Sequence, residues 1–194
     1  MDKQQWVLVT QNKGKVKEFN LLFKESGIEF ITLDEIGFKK EIEETGTTFA
    51  ENALIKVEAV RPFTDLPLLS DDSGLAVEAL NGEPGVYSAR YAGENATNKE
   101  NRTKLLNSLK GIENRKAYFE CTLCFLKKES LPLDFTGKCQ GSIALSESGQ
   151  GGFGYDPLFI PDNHQETFGT LPSQVKASLS HRAKASNLLK HHLL

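Results

Sequence analysis

The sequence predicts an α/β protein: a mixed β-sheet with flanking helices. In the first half, short apolar runs alternate with segments of helical periodicity. In the middle, apolar runs follow one another closely enough to pair locally. The composition suits a buried core, with 39% hydrophobic and 25% charged residues in a chain of 194. That length fits one domain over residues 1–194, since domains usually hold ~100–200 residues. It also allows a proper core without disulfides or a structural metal.

Each element has a local reason. The run Trp-Val-Leu-Val at 6–9 reads as a short buried strand, followed by a polar turn at 10–14. Over residues 15–26, Val16, Phe19, Leu22 and Phe23 recur at helical spacing, and Gly27 suits a C-terminal cap. Residues 28–33 read as a second strand. Thr48 and Glu51 form a capping-box pattern, opening a helix whose buried stripe is Phe49, Ala53, Val57 and Val60 and which Pro62 follows. Residues 66–70 read as a strand running into Asp71-Asp72-Ser73-Gly74. A second capping box, Thr97 to Glu100, opens a helix that Gly111 closes. Residues 117–126 read as a strand, with 138–145 as its partner. Ser180 caps a last helix running towards Leu193. There is no internal repeat, low-complexity tract or long linker.

Several function classes are disfavoured. A net charge of −3, from 23 basic and 26 acidic residues, argues against a general nucleic-acid binder. It leaves room for one nucleotide in a locally basic pocket. Apolar runs fall far short of the roughly 18 residues of a membrane span, and the first residues contain no signal-peptide core. Three cysteines are an odd number, so a complete set of internal disulfides is excluded and a reducing cytoplasm is the expected compartment. Cys121 and Cys124 have CxxC spacing but lie in a strand pattern. Residues three apart on a strand face opposite sides, so they read as small buried hydrophobes.

Four segments carry candidate chemistry. The strand–turn–helix at 7–17 places a polar, glycine-containing loop at a helix start, where backbone N–H groups and the helix dipole attract anions. Asn12, Lys13 and Lys15 add donors and charge. The Walker A spacing is absent, and a plain turn with solvated lysines reads as well. The second segment is acidic: Glu41, Glu43 and Glu44 precede a helix, and Asp71-Asp72 end a strand. Oxygen ligands from two segments suit Mg²⁺, while acids near a helix start also offset its dipole. In the third, Gly151 to Pro157, glycines around Phe153 expose a ring on which a flat base can stack. Two packed core aromatics are the alternative. The fourth, Ser180-His181-Arg182 with Lys176 before it, offers donors to a base edge or phosphate, or plain surface charge.

Taken in order, these segments carry a resemblance. The text runs Thr10-x-Asn12-x-x-Lys15, then Glu44-Thr45-Gly46 with Phe49-x-Glu51-Asn52-Ala53 and Lys56, then Ser70-Asp71-Asp72-Ser73-Gly74-Leu75. It continues through Pro84-Gly85-Val86-Tyr87-Ser88-Ala89-Arg90-Tyr91, Phe153-Gly154-Tyr155-Asp156-Pro157 and Ser180-His181-Arg182. From about residue 6 to residue 186 the chain resembles the inosine/xanthosine triphosphate pyrophosphatase family, enzymes that remove deaminated purine nucleoside triphosphates. Each motif alone is weak, but the ordered set is specific.

The resemblance implies an elongated, two-lobed α/β fold around a long mixed sheet. It implies a nucleotide cleft between the lobes, and a homodimer. Thr10, Gln11, Asn12, Lys13, Gly14 and Lys15 match the triphosphate loop, and Lys56 a second phosphate contact. Glu44 and Asp72 match the Mg²⁺ positions. Asp72 also matches the base that activates water, supported by Asp71, and Ser73 matches a substrate contact. Phe153, Gly154, Tyr155 and Asp156 match the base-binding segment, with Phe153 as the stacking ring. Lys176, His181 and Arg182 match the remaining nucleotide contacts, the last two near the purine 6-oxo edge. The family's first loop usually has a small residue where this chain has Gln11. The implied reaction splits ITP, dITP or XTP between the α- and β-phosphates, giving a monophosphate and pyrophosphate.

Overall fold

The structure, a computed structural model, describes residues 3–193. Its six strands form one mixed sheet in the order β2-β1-β3-β4-β5-β6. They are β1 (Gln4–Val9), β2 (Ile28–Ile31), β3 (Leu68–Val77), β4 (Lys116–Leu126), β5 (Leu133–Ile143) and β6 (Phe159–Pro161). The helices are α1 (Lys13–Leu22), α2 (Phe49–Val60), α3 (Asn98–Ser108), α4 (Ser173–Leu179) and α5 (His181–Leu193). β1 pairs in parallel with β2 and β3, whereas β5 and β6 are antiparallel. No helix of the described residues is long and apolar enough to cross a membrane.

The chain gathers into two compact units. The first comprises Met1–Asp72, Cys121–Thr136 and Ala185–Leu194, and the second Ser73–Glu120 and Gly137–Lys184. In the first unit the alternation of β1 sets two layers. Trp6 and Leu8 pack with Phe19 and Phe23 of α1 and with Ala185 and Leu189 of α5. Val7 and Val9 point the other way, onto Ala53, Val57 and Val60 of α2. Leu69 joins the first layer and Leu68 the second. The same alternation then sends Asp71 towards the α1 side and Asp72 towards α2. In the second unit, Leu75, Val77, Phe119, Cys139 and Phe159 of the strands pack with Leu105 and Leu109.

Both capping boxes form as the sequence predicts, with reciprocal Thr48–Glu51 and Thr97–Glu100 bonds. Cys121 and Cys124 fall in different core layers, and all three cysteines are free. Several expectations need correction, among them the strand read at 138–145, which is β5 at Leu133–Ile143. α1 begins at Lys13 because Asn12 is its N-cap, and it ends at Leu22 with Phe23 as C-cap. Gly27, at φ +74°, instead turns the chain into β2. β3 does not end at Ser70 but carries Asp71-Asp72-Ser73-Gly74 in its middle, and it runs to Val77. Charges persist there because each aspartate meets a cation on its own face, as described below. β6 and α4 escaped the periodicity reading because they are only 3 and 7 residues long.

Candidate active site

In the first unit, α1, α2, β3 and the loop before α2 bring five predicted residues together. Asp71 is fully buried and its Oδ2 lies 3.0 Å from Lys15 Nζ. Asp72, on the other face, lies with Oδ1 3.6 Å from Lys56 Nζ. The same ammonium is 3.1 Å from Glu44 Oε1 and donates to the Asp71 carbonyl oxygen at 2.9 Å. Lys56 thus ties Glu44 to Asp72. Burial pushes the Asp72 carboxyl above its ordinary range, although Lys56 and Lys15 pull the other way. Burial draws Lys56 down, but Asp72, Glu44 and Asp71 outweigh it and hold its proton more firmly than usual.

The loop ahead of α1 is closed by its own contacts. The Thr10 hydroxyl accepts the Asn12 N–H at 3.2 Å, and Asn12 Oδ1 accepts the N–H groups of Gly14 and Lys15 at 2.9 and 3.2 Å. Gln11, Asn12 and Lys13 are exposed, so Gln11 faces solvent rather than packing into the loop. Asn52 was given no role by sequence reasoning, yet it is buried beside Asp72 and donates to Asp72 Oδ2 at 3.0 Å. A signal was available: Asn52 and Lys56 are polar residues set on the apolar stripe of α2, three and seven positions after Phe49.

In the second unit, the surface-charge reading of the last segment fails. Lys176, His181 and Arg182 are all buried. Lys176 Nζ contacts Asp156 Oδ2 at 2.5 Å, and that oxygen also accepts the Phe153 N–H at 2.8 Å. The Lys176 ammonium lies 4.9 Å and the Arg182 guanidinium 6.0 Å from the centre of the half-buried Phe153 ring. Arg182 Nη2 donates to the Ser73 hydroxyl at 2.9 Å. The His181 ring stacks on Phe119, centroids 4.7 Å apart at 15°. Tyr155 belongs to the core, where its hydroxyl donates to the Ser88 carbonyl at 2.9 Å, and burial raises its pKa. So the loop holds one core aromatic and one half-open ring. Gly154 carries φ +59°, and its carbonyl accepts Arg102 Nη1 at 2.9 Å. Arg102 also lies 3.0 Å from Glu147. It had no local signal, because its role exists only once α3 meets the loop.

The first unit offers acid–base chemistry, from carboxylates and ammonium groups closely set. The second sets the half-buried Phe153 ring beside two buried cations, an arrangement suited to a flat, oxygen-bearing ring. Comparisons with known proteins identify the family. The sequence profile of the Ham1 family matches residues 6–192. A dITP/XTP pyrophosphatase of Geobacter sulfurreducens is 44% identical over 96% of this chain and 95% of its own. One from Listeria innocua is 45% identical over 96% and 93%. The solved structure of a HAM1 protein from Coxiella burnetii superposes with a TM-score of 0.88 at 41% identity, covering 98% of each chain. The Staphylococcus aureus Ham1 protein gives 0.87 at 40% identity, again over 98% of each. With a family match across nearly its whole length and relatives this similar, the chain belongs to the Ham1 family.

Proposed function

We propose that this chain hydrolyses the deaminated purine nucleoside triphosphates ITP, dITP and XTP to the monophosphate and pyrophosphate, with residues 1–194 acting as one pyrophosphatase domain. The names of its relatives support the reaction. The observation that carries the reading is the buried Asp72 carboxylate set beside Glu44 and Lys56.

On this reading Asp72 orients the attacking water and takes its proton. Lys15 and Lys56 stabilise the departing pyrophosphate. The cofactor on this reading is Mg²⁺, which Glu44 and Asp72 would hold. Both are hard oxygen donors, and they already share one positive charge, the Lys56 ammonium. No group of three or more metal-binding side chains occurs among the described residues. Two carboxylates, completed by phosphate and water, meet the usual demand of Mg²⁺. When bound, the ion neutralises charge on the triphosphate. Phe153 stacks on the purine, while His181 and Arg182 donate to its 6-oxo group. Adenine presents an amino group there, and a buried donor facing a donor costs on the order of 10⁴-fold in kcat/KM. We further propose a homodimer working in a reducing cytoplasm, for which light scattering should give twice the 21.5 kDa chain mass.

The test is pyrophosphate release from ITP, XTP, GTP, ATP and dTTP, with Mg²⁺ and with EDTA. Mg²⁺-dependent release from ITP and XTP is the expected result. Release from every nucleotide would discard the roles of Phe153, His181 and Arg182. Asp72→Asn should abolish turnover and retain nucleotide binding, and near-normal turnover would remove Asp72 from its role.

A further inference from the structure

We propose that Asn52 is a positioning residue that fixes the Asp72 carboxylate and the Glu44 loop in one arrangement, an inference that rests on the catalytic reading of Asp72 above. Asn52 is only 1% exposed. Its side chain joins two segments: Oδ1 accepts the Gly46 N–H at 2.8 Å, and Nδ2 donates to Asp72 Oδ2 at 3.0 Å. The two partners determine which way the amide points, since an N–H needs the oxygen and a carboxylate needs the NH₂. Gly46 lies two residues from Glu44, so a single side chain links the loop bearing one carboxylate to the other.

The close approach is built into the backbone. A Cβ at Gly46 would lie 2.6 Å from Asn52 Oδ1 and 2.7 Å from Glu51 Cβ, so only glycine lets the loop reach the amide. The capping box holds the same turn from the other side, with Glu51 Oε2 accepting the Thr47 N–H at 2.7 Å. Asn52 is therefore anchored on α2, with its acceptor and donor each committed. A residue of that kind acts on rate through the angle of the carboxylate it holds. A displacement of about 1 Å at a reacting group costs on the order of 10²-fold, and loss of a supporting contact typically costs 10- to 100-fold.

The experiment compares the parent, Asn52→Ala, Asn52→Asp, Asp72→Asn and the double variant Asn52→Ala/Asp72→Asn. For each, kcat and KM for ITP are measured at saturating Mg²⁺. Thermal unfolding and calorimetric binding of a non-hydrolysable ITP analogue are measured alongside. The expected result is a 10- to 100-fold fall in kcat for Asn52→Ala, with KM and analogue affinity within about 3-fold of the parent. The double variant should bind the analogue within about 3-fold of Asp72→Asn alone, because Asn52 acts through Asp72. If Asn52→Ala fails to fold, Asn52→Asp keeps an acceptor for the Gly46 N–H and removes the donor to Asp72. It should show at least that fall in kcat, because it also sets a second carboxylate against Asp72. An inactive Asp72→Asn together with a kcat within 3-fold for both Asn52 variants would overturn the proposal. So would equal losses in kcat and analogue affinity, the mark of a merely structural residue. Near-normal turnover by Asp72→Asn would instead refute the reading on which the proposal rests.

Discussion

Replacing Asp156 with alanine removes the carboxylate from one of the most enclosed ion pairs in the second unit. The side chains of Lys176 and Asp156 are only 10% and 2% exposed, and the two charges meet at 2.5 Å. Surface ion pairs contribute little, but removing one partner of a buried pair costs about 3–5 kcal/mol, since the remaining charge keeps its desolvation and loses its counter-charge. The same carboxylate oxygen accepts the Phe153 N–H. It also packs against Gly152, where a Cβ would lie 1.9 Å from it. A domain of this size loses roughly 2–4 °C of Tm per kcal/mol. Asp156→Ala should therefore lower Tm by roughly 6–20 °C. The double variant Asp156→Ala/Lys176→Met removes the stranded ammonium and keeps an apolar chain over the Phe153 and Phe168 rings. It should regain at least about half of the loss, because a buried pair exchanged for apolar groups is often near neutral. Thermal unfolding at pH 7 measures the Tm shifts, and urea unfolding the free energies, of both variants. A single variant within about 1 kcal/mol of the parent, or a double variant with strictly additive losses, would refute the reasoning.

Two further expectations concern pH. Hydrogen bonds hold two exposed carboxylates below the usual range: Glu51, chiefly through the Thr47 N–H and hydroxyl, and Glu100, through the Thr97 N–H and hydroxyl. A depressed folded-state pKa contributes stability above the unfolded value of about 4.3 and loses it as pH falls. Urea midpoints between pH 6 and pH 3 should therefore drop less steeply in Glu51→Gln/Glu100→Gln than in the parent, and identical slopes would contradict the capping bonds. The thiols run the opposite way. Burial pushes Cys139 up to about 11 and raises Cys124 further, so their contribution is complete below about pH 8.5 and declines as pH rises. At pH 8 none of the three buried thiols should react rapidly with a disulfide reagent until urea unfolds the chain, and a fast-reacting thiol in the native protein would contradict their burial.

The parts legible in the sequence were those decided locally. Both capping boxes, the apolar stripe of α2 and the alternation that separates Cys121 from Cys124 need only neighbours in the chain. The continuation of β3 through Asp71 and Asp72 could not be read that way. A strand interior tolerates two adjacent carboxylates only when cations approach from both faces, and those cations sit on α1 and α2. The burial of His181 and Arg182 was hidden for the same reason, since Phe119, Ser73 and Phe153 are distant in sequence. The ordered motifs found most members of each cluster, though not Phe119 or Arg102. They did not reveal which donors are already committed to protein acceptors.

That commitment bears on how the proposed site takes a triphosphate. Lys15 is turned to Asp71, Lys56 holds Glu44 and Asp72, and the first N–H groups of α1 sit on Asn12 Oδ1. Phosphate binding is then an exchange of acceptors, and its net gain is the difference between the two sets of contacts. The exchanges are not equally costly. Asn12 is exposed, and giving up a helix cap costs only about 1 kcal/mol, so the backbone donors of the loop are cheaply released. Asp71 is fully buried, and parting it from Lys15 moves the ammonium away from a desolvated carboxylate, the expensive case for an ion pair. An ammonium carries three donors. Lys15 can therefore keep Asp71 and still offer a proton to phosphate. The loop on the proposed reading yields first at Asn12, while Lys15 stays fixed on Asp71 and offers phosphate its remaining N–H.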